Sequence, residues 1–214
     1  MLLQHAMPGV TSVPDGRSIM ENDQPFLPGF LPPAPPAPEK AASHHAQRLY
    51  YAVRPDRSAS DAASVVLNDL HLGISGSVKP ENRHVSLILI HDGVDVPPGF
   101  EARACACARD VNTAPFVLTF DKVESFKSGE RWCVVLTASR GIAGLYELQR
   151  KLIRQFSGND RMGRFMPHMT LMYARNFVEK QPIAPISWTV REFLLLRSYP
   201  GRGRQDIVMR HSLR

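Results

Sequence analysis

His84-Val85-Ser86-Leu87 and His168-Met169-Thr170-Leu171 repeat one pattern: histidine, apolar, hydroxyl, leucine. Each copy opens an apolar run, residues 85–90 and 169–172, which reads as a strand. Successive side chains on a strand point to opposite faces, so His84 and Ser86 share one face, roughly 6.6 Å apart, while Val85 and Leu87 pack on the other. Two such strands side by side present two imidazoles and two hydroxyls to one cleft.

The surroundings repeat as well. Arg48-Leu49-Tyr50-Tyr51-Ala52-Val53 lies 83 positions before Arg131-Trp132-Cys133-Val134-Val135-Leu136, and His84 lies 84 positions before His168. Both halves read as strand, helix, motif strand. The helices are expected over residues 59–72, capped by Ser58 or Ser60 with Asp61 in the first turn, and over residues 141–156. Leu145, Leu148, Leu152, Ile153 and Phe156 fall at helical spacing in the second.

Further strands are expected at residues 115–126, 188–196 and 207–209, with a helix after Pro97-Pro98 running to Arg109. Some strands follow one another directly, which favours a mixed or antiparallel sheet over a doubly wound parallel one. The expected class is α+β: two pseudo-symmetric lobes of mixed or antiparallel sheet, helices packed outside, and an active-site cleft between the lobes.

At 214 residues the chain allows one or two domains. Residues 1–45 stand apart: half of the 18 prolines lie between Pro8 and Pro38. Such a run disfavours sheet ladders and helix interiors, so residues 1–45 are expected to be a disordered extension and residues 46–214 the folded domain. The first 45 residues lack an apolar signal core, and no stretch approaches the roughly 18 apolar residues of a membrane span. Cys105, Cys107 and Cys133 make neither a disulfide framework nor a common metal pair, which fits a reducing cytoplasm.

The net charge of +6 favours an anionic partner. Arg202 and Arg204 flank a glycine turn, and Arg161 and Arg164 precede the second motif; each pair can reach a phosphodiester backbone or simply solubilise a loop. Tyr50, Tyr51, Tyr173 and Phe165 are candidates for base stacking, but Tyr50 and Tyr51 read equally well as core. His5, His44 and His45 lie in or near the extension. His71, His91 and His211 lack a repeated partner, and no third ligand at recognisable spacing joins His84 and His168 for zinc.

The paired motifs, the Pro167 before the second, the Pro80-Glu81-Asn82 lead-in to the first and the opening residues 48–56 resemble the 2H phosphoesterase superfamily. Within it they are similar to the 2′-5′ RNA ligase / RNA 2′,3′-cyclic phosphodiesterase family, over residues 48–213. Ser86 stands where threonine is commoner, keeping the hydroxyl. Tyr173 and Arg175 occupy the stretch where many relatives carry a basic residue.

The resemblance implies hydrolysis of a 2′,3′-cyclic phosphate on RNA ends or small nucleotides to a 2′-phosphomonoester, with 2′-5′ RNA ligation as the reverse. It implies His84 and His168 as catalytic residues, His84 as proton donor and His168 as base, although the symmetric pattern by itself allows either assignment. Ser86 and Thr170 would bind the phosphate. No metal or other cofactor is expected, and the chain is expected to be monomeric. A noncatalytic RNA- or nucleotide-binding module using the same cleft is the alternative.

Overall fold

Residues 49–53 and 133–137 are buried at every position, so both strands that precede the motifs are covered on two faces. In the computed structural model, which describes residues 46–73, 76–158 and 165–214, they are β1 (Gln47–Val53) and β4 (Arg131–Thr137). The motif strands are β2 (Val85–Gly93) and β5 (Met169–Ala174). With β3 (Phe116–Ser128), β6 (Gln181–Val190), β7 (Glu192–Tyr199) and β8 (Arg204–Ser212) they form one sheet in the order β6-β3-β4-β5-β2-β1-β7-β8. Its strand pairings are antiparallel throughout.

The two expected lobes are therefore the halves of one open sheet. They join through a single residue pair, Val85↔Met169, at the centre of the order. Beyond that bridge β5 is flanked instead by the segment entering from Gly76. Val78 N donates to Leu171 O at 2.8 Å, Tyr173 N donates to Gly76 O at 2.9 Å, and Ser77 pairs with Met172. This segment wedges the halves apart.

Three helices line one face of the sheet: α1 (Arg57–Asp69), α2 (Phe100–Arg109) and α3 (Ala143–Ser157). Ala63, Leu67, Ala104, Ala108, Leu145, Leu148 and Leu152 pack there with Leu49, Tyr51, Val53, Val85, Leu87, Met169 and Leu171. Each large side chain so buried contributes about 1.5–3 kcal/mol. The helices cross over: α1, from the first repeat, lies against β5 and β6, while α3 lies against β2 and β3. Gln149 of α3 donates from Nε2 to the Leu87 carbonyl at 2.9 Å, where the β1 register skips that residue. The other face carries a separate small cluster, Tyr50, Ala52, Leu194 and Leu196, and leaves His84 and Ser86 open.

Three local expectations need correction. The first helix is capped by Asp56, whose carboxylate accepts from Ala59 N at 2.8 Å, not by Ser58 or Ser60. Pro55 holds the chain extended into that cap, and an Asp side chain reaches the free N–H groups of the first turn as well as a serine does. The single strand expected over residues 188–196 is two strands, broken at Arg191. β6 also begins earlier than expected, through Pro182 and Pro185. Those prolines read as breakers, yet β6 is an edge strand, where a missing N–H need cost no ladder bond.

Gly76 has φ +87, and an added Cβ would sit 2.4 Å from the Tyr173 carbonyl oxygen. Gly73, with φ +74, has open space around its Cβ position. Thermal denaturation should show Gly76→Ala costing about 2 kcal/mol more than Gly73→Ala. Equal costs would mean that the wedge does not depend on this close approach.

Candidate active site

The residues on either side of Val85 and Met169 point away from the helices. In regular antiparallel geometry His84 and His168 are then diagonal neighbours, about 7–8 Å apart. One cavity of about 840 Å³ on the open face is lined by His84, Ser86, His168 and Thr170 together. The structure thus brings all four sequence-derived candidates to one place.

Both imidazoles are held in the same way. His84 Nδ1 donates to the Asn82 carbonyl at 2.7 Å, and His168 Nδ1 donates to the Met166 carbonyl at 2.8 Å. A neutral ring whose Nδ1 carries the proton keeps a lone pair on Nε2. Each ring also rests on an aromatic side chain: His84 on Tyr50, with centroids 5.0 Å apart, and His168 on Phe126, at 5.3 Å. The Gln205 amide lies behind His84, its Nε2 3.3 Å from Nδ1 and its Oε1 accepting from Arg54 at 2.9 Å. Thr170 Oγ1 lies 3.4 Å from the Cys133 thiol.

Burial pushes the His84 imidazole down to about 4; the Asn82 carbonyl opposes this, while Arg54 and His168 add to it. His84 is consequently neutral at pH 7. Burial likewise raises the Tyr50 phenol, whose hydrogen bond with Ser198 and proximity to Arg54 oppose the shift.

Of the candidate phosphate-binding arginines, Arg204 lines the cavity, in an ion pair with Asp206 at 2.8 Å, and Arg202 does not. Arg161 and Arg164 lie outside the described residues. Arg48 also lines the cavity, paired with Asp92 at 3.0 Å. Among the aromatic candidates, Tyr50 and Tyr173 line the cavity. Tyr51 is core, donating its hydroxyl proton to the Ala104 carbonyl at 2.6 Å, and Phe165 packs on Tyr146.

His91 packs on Phe100, and His211 donates from Nε2 to the Val111 carbonyl. His71 follows α1 with φ +51. The remaining histidines, His5, His44 and His45, lie outside the described residues. No cluster of three His, Cys, Asp or Glu side chains able to hold a metal occurs among the described residues.

The groups packed around His84, namely Tyr50, Asn82 and Gln205, were not expected in these places. Tyr50 belongs to an apolar run that hides its part, Asn82 acts through a carbonyl that any residue carries, and Gln205 arrives from a strand 121 positions away.

The sequence profile of the 2′-5′ RNA ligase superfamily matches residues 74–202. The chain belongs to this superfamily, whose members are phosphoesterases and ligases. No curated protein matches it. Among solved structures it is similar to Escherichia coli LigT complexed with NADP+, at 25% identity and a TM-score of 0.63, covering 78% of this chain and 98% of that one. LigT complexed with 3′-AMP matches with the same identity, TM-score and coverage. TT0787 of Thermus thermophilus, at 21% identity and a TM-score of 0.62 over 78% and 98% of the two chains, shares the fold.

A histidine kept neutral by burial in the folded state takes up its proton on unfolding, so stability is lost as pH falls from about 6.5 towards about 4. Because His84 is half-buried rather than fully enclosed, this loss should amount to about 2 kcal/mol. Urea denaturation of the wild type and His84→Asn should give curves that converge by that amount between pH 7 and pH 4. Parallel curves would contradict the burial of a neutral imidazole.

Proposed function

We propose that the chain is a metal-independent cyclic phosphodiesterase that opens the 2′,3′-cyclic phosphate of RNA ends or small nucleotides to a 2′-phosphomonoester. One observation carries this reading: two histidines, each tied through Nδ1 to the carbonyl two residues upstream, share one cavity with two hydroxyls. Crystallisation of LigT with 3′-AMP and with ATP supports a nucleotide-sized ligand.

In the proposed reaction water attacks phosphorus and the P–O3′ bond breaks. His168 takes the proton from water, and His84 gives one to the departing O3′. The product carries a 2′-phosphate and a free 3′-hydroxyl. Ser86 and Thr170 donate hydrogen bonds to the non-bridging oxygens, where charge builds in the transition state. An RNA 5′-hydroxyl in place of water attacks the same phosphorus, expels O3′ and joins two ends through a 2′-5′ bond; attack of that 3′-hydroxyl on the bond is the reverse.

His84 is neutral in the free protein, and the donor role requires its protonated form. The bound phosphodiester supplies the means, because an adjacent anion favours the imidazolium and raises its pKa.

Residues 46–214 are proposed to carry this activity as a monomer in the reducing cytoplasm, with residues 1–45 dispensable for it. No helix among the described residues is long and apolar enough to cross a membrane.

Turnover of an RNA end carrying the cyclic phosphate should fall by about 10²–10⁴ in His84→Ala and in His168→Ala. Ser86→Ala and Thr170→Ala should each cost about 10- to 100-fold. The pH–rate curve should be bell-shaped, losing one limb in each histidine variant, with EDTA without effect. Full activity in His84→Ala, or its abolition by the chelator, would refute the reading, and tight binding without any turnover would mark a noncatalytic module.

A further inference from the structure

The imidazoles, the hydroxyls and Lys79 of the open-face cavity suit an anion; Asp92 does not. It is the only carboxylate among the described residues that line the cavity, and Arg48 holds it, Nε to Oδ2, at 3.0 Å. Both side chains are about half exposed. A phosphate beside that carboxylate would be repelled, so this end of the cavity suits a neutral ligand edge that carries both donors and acceptors.

The register of β1 and β2 explains the placement. Arg48 pairs with Asp92 and Tyr50 with Leu89, and the ladder skips Ile90 between them, so Leu89 and Asp92 both stay on the open face. Residues two apart on a strand share a face at about 6.6 Å, which sets Arg48 one step beyond Tyr50. The Tyr50 ring in turn lies 5.0 Å from the His84 ring. The ion pair therefore stands roughly a nucleoside's length from the histidines.

Apolar surface accompanies it. Leu89 and part of the Tyr173 ring are exposed in the same cavity, where the face of a base can lie against them. Arg48 is close to Tyr173 too: burial raises that phenol, and the Arg48 charge acts against the shift.

We infer that the Arg48–Asp92 pair reads the base of the nucleotide carrying the cyclic phosphate, and that it selects guanine. Guanine sets N1–H and an N2–H side by side, one for each carboxylate oxygen, with O6 next to them to accept from the Arg48 guanidinium. Adenine and cytosine turn a ring-nitrogen lone pair towards the carboxylate, and uracil offers one N–H between two carbonyls. The inference rests on the proposed function, which it narrows from nucleotides in general to those ending in guanosine.

The test reads affinity first, by calorimetry, with 3′-GMP, 3′-IMP and 3′-AMP. The wild type should bind 3′-GMP about tenfold or more tightly than 3′-AMP, with 3′-IMP, which lacks the N2 amine, between them. Asp92→Asn keeps the shape of the side chain and replaces one acceptor by a donor. In that variant the preference should shrink to within about twofold, with 3′-AMP affinity changed less than about threefold and a thermal melt confirming the fold. Equal affinity of the wild type for 3′-GMP and 3′-AMP, or a preference that survives Asp92→Asn, overturns the inference.

The ratio of kcat/KM for guanosine 2′,3′-cyclic phosphate over its adenosine counterpart should show the same preference. Guanine-selective binding with no turnover of either cyclic nucleotide would leave the base site standing and remove the proposed hydrolysis. Turnover of both at equal kcat/KM, with equal affinities, would remove the base site and leave the hydrolysis.

Discussion

Val85 and Met169 form the one residue pair through which the two halves of the sheet meet, and both side chains are fully buried against the helices. Because side chains alternate on strands, burying these two turns their neighbours the other way. His84 and Ser86 flank Val85; His168 and Thr170 flank Met169. The site is a geometric consequence of that bridge. A one-residue slip at either strand would bury a histidine among leucines and expose an apolar side chain in its place. The hydrophobic pattern that builds the core therefore also aims the polar groups.

A longer β2–β5 ladder would close the space above the bridge. The segment from Gly76 to Val78 takes up the upper half of β5 instead, and its glycine allows an approach to Tyr173 that a side chain would block. The halves diverge, and the gap becomes the cavity. Within it, burial alone would leave two loosely oriented rings. The backbone carbonyls of Asn82 and Met166 fix one tautomer on each side, leaving the Nε2 atoms free for chemistry. Burial, with Arg54 adding to it, discourages a charge on His84, so an anionic ligand is needed to bring its proton in.

Much of this was legible before any coordinates. The repeat offset, the alternation around each motif and the leucine spacing of α3 are local signals, and they located both motif strands, their preceding strands and the four cavity residues. Several features escaped because they are not local. Asp56 follows β1 closely and caps a helix for which two nearby serines compete in the sequence. Pro182 and Pro185 argue against a strand unless the strand is known to be an edge. Two lobes joined by one residue pair are indistinguishable, in sequence, from two separate lobes. Gln205 and Tyr50 reach the site through strand order, which no short window records.

The central claim is that His84 and His168 act on one phosphate as a single unit. The most direct measurement is a double-variant cycle on hydrolysis of a cyclic-phosphate substrate, comparing His84→Ala, His168→Ala and the two combined. Groups acting as one unit are strongly non-additive, so the combined variant should fall within about tenfold of the worse single one. Rate losses that multiply would show two histidines contributing independently, and would contradict the account.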